Sequence, residues 1–166
     1  MIDAGFVRTM AAYNAEMNRR WYEAAGRLPA AARSEDIGLF WKSIEGTLNH
    51  LLWADRMWMS RFAGWDRPAG ELAGSGSPIA DFTELTVARF EMDRKLIAWA
   101  GTLDDAALAG DLTWHSGVMK CDITKPRALL LVHMFNHQTH HRGQAHAGLT
   151  KFGVDPGITD LPFLEL

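Results

Sequence analysis

The chain has 166 residues, enough for one domain with an ordinary core, and 48% hydrophobic with 22% charged content is a globular composition. A net charge of −3 without any Lys/Arg cluster argues against nucleic acid as a partner. No apolar run approaches the roughly 18 residues that span a bilayer. The start MIDAGFVRTMAAYN lacks a signal-peptide pattern, and one cysteine, Cys121, excludes an internal disulfide, so a cytoplasmic protein is expected.

Periodicity predicts a first helix over 3–26, with Phe6, Met10, Tyr13, Met17, Trp21 and Ala24 as its inward stripe and Gly26 and Pro29 as its stop. Asn14 and Asn18 flank that stripe one turn apart. They either face solvent, the plainer expectation, or reach a central polar site. A second helix is predicted over 37–63, capped by Ser34 or Asp36 and ended by Gly64. Its apolar face is Phe40, Ile44, Leu48, Leu51, Leu52, Trp58, Met59 and Phe62. His50 lies beside that face among Ser43, Gly46, Thr47 and Ala54, small residues that leave room for a helix or a ligand. Asp55 falls in the middle of the apolar face and needs a partner. Arg142 is the preferred one, a metal-ligating imidazole N–H the alternative.

Residues 64–79 (GWDRPAGELAGSGSPI) are too long for a tight helix connection and are expected to cross the end of the helices or cover a site. A third helix over 80–101 buries Phe82, Leu85, Met92, Leu96 and Trp99 and shows no ligand-type constellation. Residues 112–123 read as a short β-hairpin turning at Ser116-Gly117, with His115 exposed and Cys121 structural. The last helix is expected over 125–152, with Thr124 as N-cap, Pro126 in its first turn and Gly153 as its stop. The tail VDPGITDLPFLEL is expected to pack along the outside. The seven tryptophans are read as core before interface.

Chemistry concentrates in that last helix. LLLVHMFNHQTHHRGQAHAG, residues 129–148, holds five of the seven histidines. At about 100° per residue, His133, His137, His140, His141 and Gln144 share one quadrant. His137 and His141 stand one turn apart and point the same way, the spacing with which two imidazoles grip one divalent ion. A metal-free histidine network is the plainer alternative. The only charge between His133 and Gly148 is Arg142, on the opposite side. The zinc-protease HExxH motif is absent, because Gln138 stands where its Glu would be. The four Glu and paired Glu-x-x-His of a di-iron site are absent too. His50 is the best third ligand. His133 is a neighbouring donor or replacement ligand, while His140 and Gln144 line the pocket. His146 is expected on the surface.

GTLNHLLWADRMW (46–58) and HMFNHQTHHRGQ (133–144) together resemble the DinB/YfiT-like superfamily of small metalloproteins, and helix order and spacing match over nearly the whole chain. The resemblance implies a single-domain all-α protein over 1–166. Its fold would be a four-helix bundle running up-down-down-up, commonly homodimeric. It also implies one divalent metal ion, zinc or nickel, on three histidines, which by motif position are His50, His137 and His141.

Three readings follow. An S-transferase would use the ion to hold a low-molecular-weight thiol as thiolate against a small electrophilic substrate. A hydrolase would use bound hydroxide. A non-catalytic stress-response or interaction protein would use the ion as a staple between helices. Asp55 and Asn14 are added to His133, His140 and Gln144 as residues around the pocket.

Overall fold

A computed structural model describes residues 1–165. The chain is mostly helical: α1 (Ala4–Gly26), α2 (Ala30–Ser34), α3 (Ile44–Phe62), α4 (Phe82–Gly101) and α5 (Arg127–Lys151), with one antiparallel hairpin of β1 (Asp111–Ser116) and β2 (Cys121–Pro126) before α5. Each of α1 and α3 packs on both α4 and α5. The core between them is built on Val7, Met17, Trp21, Ile44, Leu48, Leu85, Leu96, Phe135 and Leu149. Two aromatic groups on α1 also anchor through their polar ends. Trp21 Nε1 donates to the Arg142 carbonyl and Tyr22 Oη to the Leu48 carbonyl, so α1 is registered against both α5 and α3.

The helix starts are set by local capping. Asp3, Ser43 and Asp81 each accept a backbone N–H three residues on, which satisfies one of the orphan donors of α1, α3 and α4. The second predicted helix therefore begins late. Its cap is Ser43 rather than Ser34 or Asp36, because the backbone turns back on itself just before it. Gly38 (φ 82°) and Lys42 (φ 68°) adopt left-handed conformations, and Leu39 pairs with Lys42. Phe40, expected on the buried face, is instead 73% exposed.

Two further boundaries shift. The hairpin turn spans the four residues Gly117–Lys120, closed by Lys120 N–H donating to the Ser116 carbonyl, rather than Ser116-Gly117 alone. Thr124 belongs to β2, where its hydroxyl meets that of Thr113, so α5 starts after Pro126 without a side-chain cap. His115 is exposed as expected and bonds Asp122 across the hairpin. Cys121 is exposed on β2, so it has no structural packing role. The tail lies along α1, where Tyr13 Oη and Arg20 Nη1 donate to the carbonyls of Thr159 and Ile158.

Candidate metal centre

α5 presents His137 and His141 one turn apart, with ring centroids 4.4 Å from each other. α3 brings His50 against them, at 5.1 Å from the His137 ring and 4.6 Å from that of His141. One ring nitrogen from each of the three lies within 4.8 Å of the other two. His50 Nε2 and His137 Nε2 are 3.2 Å apart. Two donors of one tetrahedral ion, each at about 2.1 Å, would be separated by roughly 3.4 Å. The three imidazoles thus fit a divalent cation and could hold one.

Hydrogen bonds on the far side of two rings decide which nitrogen faces inward. Ser75 Oγ donates to the Leu72 carbonyl at 2.7 Å, so at its 2.7 Å contact with His50 Nδ1 it must accept the ring's N–H. That leaves the lone pair on His50 Nε2. Gln144 does the same for His141: its Oε1 accepts from Nδ1 at 3.0 Å while its Nε2 donates to His140 Nε2 at 3.2 Å. Both outer partners are neutral, so no carboxylate dilutes the positive charge an ion would bring. Burial pushes the His50 and His137 imidazoles down to about 3, each pulled further by neighbouring histidines. Burial lowers His141 as well. Burial thus disfavours the charged form at all three, and the neutral form is the one a metal needs.

Trp41 forms a wall of the site. Its ring stacks on His50 with centroids 4.1 Å apart and planes 21° from parallel. A Cβ at Gly46 would lie 2.3 Å from the Trp41 carbonyl oxygen, so only glycine lets this turn cross the start of α3. The space expected beside His50 for a ligand or helix is filled by the chain's own backbone. The 64–79 connection covers this end of α3. Asn49 is buried and clamps Ile79 by accepting its N–H and donating to its carbonyl, both at 3.1 Å. Trp53 Nε1 donates to the Ala69 carbonyl. On the α5 side the site is more open, with His137 half-buried and His140 exposed.

A family model for the DinB family matches residues 1–166, the whole chain. The chain belongs to the DinB family. No curated protein matches the sequence. Among the described residues no helix is long and apolar enough to cross a membrane.

The other sequence-selected residues of this DinB family member divide clearly. Gln144 and His140 join the centre through the hydrogen bonds above. His133 is exposed, stands edge-on to Trp58 at 5.2 Å and lies outside the three-histidine group. His146 is half-buried rather than on the surface, edge-on to Trp21 at 5.3 Å. Asp55 bonds neither Arg142 nor an imidazole. Its oxygens take Arg89 Nη1 at 2.6 Å and Gln138 Nε2 at 2.7 Å. Arg89 reaches Asp93 through Nη2 at 2.6 Å, and Asn18 donates to the same carboxylate. Arg89 stands on the inward stripe of α4, four residues after Leu85 and three before Met92, so a charge inside that apolar period was the signal that could have found the cluster. Arg142 is buried with its guanidinium 5.5 Å from the Tyr13 ring. Asn14 is fully buried in α1 and makes no hydrogen bond to the three histidines. Sequence reasoning passed over Trp41, Ser75, Arg89 and Asp93. Ser75, in a Gly/Ser-rich stretch, carries no local signal.

Proposed function

We propose that this protein binds one divalent ion, zinc or nickel, on His50, His137 and His141. It then acts as an S-transferase joining a low-molecular-weight thiol to a small electrophilic molecule. The observation that carries the reading is the 3.2 Å approach of His50 Nε2 to His137 Nε2, with His141 beside them. Three neutral donors with neutral outer partners would leave a bound dication strongly electrophilic. When bound, the ion would supply the Lewis acidity that keeps a thiol deprotonated near neutral pH.

The chain's own residues would do the rest. Ser75 and Gln144 orient two of the ligands, Trp41 excludes water behind His50, and the half-exposed side of His137 leaves an approach for substrate. In the transfer, the S–H proton goes to solvent, the sulfur bonds the electrophilic carbon, and the leaving group departs with the bonding pair. No protein base is required, which accords with Asp55 being committed to Arg89 and Gln138. The test is to incubate zinc- or nickel-loaded protein with glutathione, bacillithiol or mycothiol and an aryl halide. Conjugation above that of a His141→Ala control supports the reading, and equal rates overturn it.

A second reading is favoured by the placement of the ligands on two different helices, α3 and α5. The ion would then be a non-catalytic staple, and chelation would cost stability with no thiol-dependent activity to lose. With either reading we propose a single domain over 1–166 folded as an up-down-down-up four-helix bundle, assembled as a homodimer in the cytoplasm. The packing of α1 and α3 on both α4 and α5 supports the bundle.

A further inference from the structure

Ser75 sits in the long connection between α3 and α4, 25 residues from His50 in sequence, yet it is 1% exposed and shares a hydrogen bond with that ring. Its hydroxyl has two fixed partners: it accepts from His50 Nδ1 and donates to the Leu72 carbonyl, each at 2.7 Å. The Leu72–Gly74 turn is therefore tied to one imidazole of the metal centre. The next residue strengthens the tie. A Cβ at Gly76 would lie 3.2 Å from Trp41 Cε3, so the connection rests flush on the indole that stacks on His50. The clamp of Asn49 on Ile79 holds the far end of the same segment.

We propose that Ser75 is a positioning residue of the metal centre: it fixes His50 with its lone pair on Nε2 and links ion capture to the seating of residues 72–79. The inference rests on the metal reading above. Its physical basis is linkage. A neutral imidazole carries one N–H, and the hydroxyl holds that proton on Nδ1. When the 72–79 segment is unseated, Nδ1 loses its acceptor and the proton is free to move to Nε2, where it blocks coordination. An ion on Nε2 forces the proton to Nδ1 and so favours the seated segment. By reciprocity, seating raises affinity by the same factor that binding stabilises the seat.

The test uses the full chain with zinc alone as the probe. Zinc affinity is measured by competition with a chelator in the wild type and in Ser75→Ala, together with amide hydrogen exchange over 72–79. The expected result is a 10- to 100-fold weaker site in the variant. Zinc should also slow exchange over 72–79 in the wild type and do so far less in Ser75→Ala. Affinities within twofold of one another would overturn the proposal. A readout without metal separates this inference from the metal reading: the ¹⁵N shifts of the His50 ring. They should show Nδ1–H in the metal-free wild type and a mixture of tautomers in Ser75→Ala. If the wild type binds no zinc, the metal reading fails and the linkage with it. If His50 keeps the same tautomer in both proteins, the positioning role fails even where zinc binds.

Discussion

The indole of Trp41 lies flat on the imidazole of His50, 4.1 Å from centroid to centroid. The contact depends on Gly46, one turn before His50, because any Cβ there would meet the Trp41 carbonyl oxygen at 2.3 Å. That obstacle is backbone, which cannot swing aside as a side chain can. Gly46→Ala should destabilise the protein by about 1–3 kcal/mol, although alanine is the better helix former. Denaturant unfolding checks the value. A gain in stability, as expected for an unobstructed helix position, would contradict this account of the turn.

Arg89 joins two carboxylates inside the helical core, Asp55 from α3 and Asp93 from its own helix. Removing it leaves two buried acids facing each other. Arg89→Met should therefore cost about 3–5 kcal/mol. Arg89→Lys should restore little of this, since an ammonium cannot fork between the two groups as a guanidinium does. The midpoint of chemical unfolding measures both variants. A loss below about 1 kcal/mol for the methionine variant would show that the cluster relaxes or hydrates.

Acid should weaken the metal-free protein through its histidines. The folded imidazoles of His50 and His137 protonate only at about 3, against an ordinary value of 6.5, because burial and their histidine neighbours disfavour charge. Above pH 6.5 both are neutral in either state and the stability is fully present. As pH falls from 6.5 towards 3, the unfolded chain takes up protons that the folded one refuses, so stability is lost across that window. Asp93 works in the opposite sense. Burial raises it to about 6, so its contribution is fully present below the ordinary 3.8 and is lost as pH rises through about 6. Comparing wild type with a His50→Gln, His137→Gln double variant cancels that common term. The wild type should show the larger fall in melting temperature between pH 7.5 and pH 5, and parallel curves would refute the assignment.

Much of the centre was legible because it obeys a period. His137 and His141 stand one helical turn apart on a helix with few charges, and His50 was the histidine left to complete a pair that lacked a third ligand. Four long helices were legible for the same reason. The rest depended on contacts between segments remote in sequence. Gly38 and Lys42 turn the chain before α3 with left-handed conformations that no apolar pattern encodes, which displaced the helix start and exposed Phe40. Asp55 announced a partner without saying which, and the choice of Arg89 over Arg142 is made by packing of α3 on α4. Ser75 reaches His50 from a loop whose composition only says that it bends.

The ion itself carries the functional argument, and its content per chain tests that argument most directly. Wild type, His50→Ala and His137→Ala are loaded with zinc or nickel, passed through a desalting column and analysed for bound metal. The three-histidine geometry predicts about one equivalent in the wild type and under about a tenth in each variant. A wild type that retains no stoichiometric metal, or variants that retain a full equivalent, would contradict it.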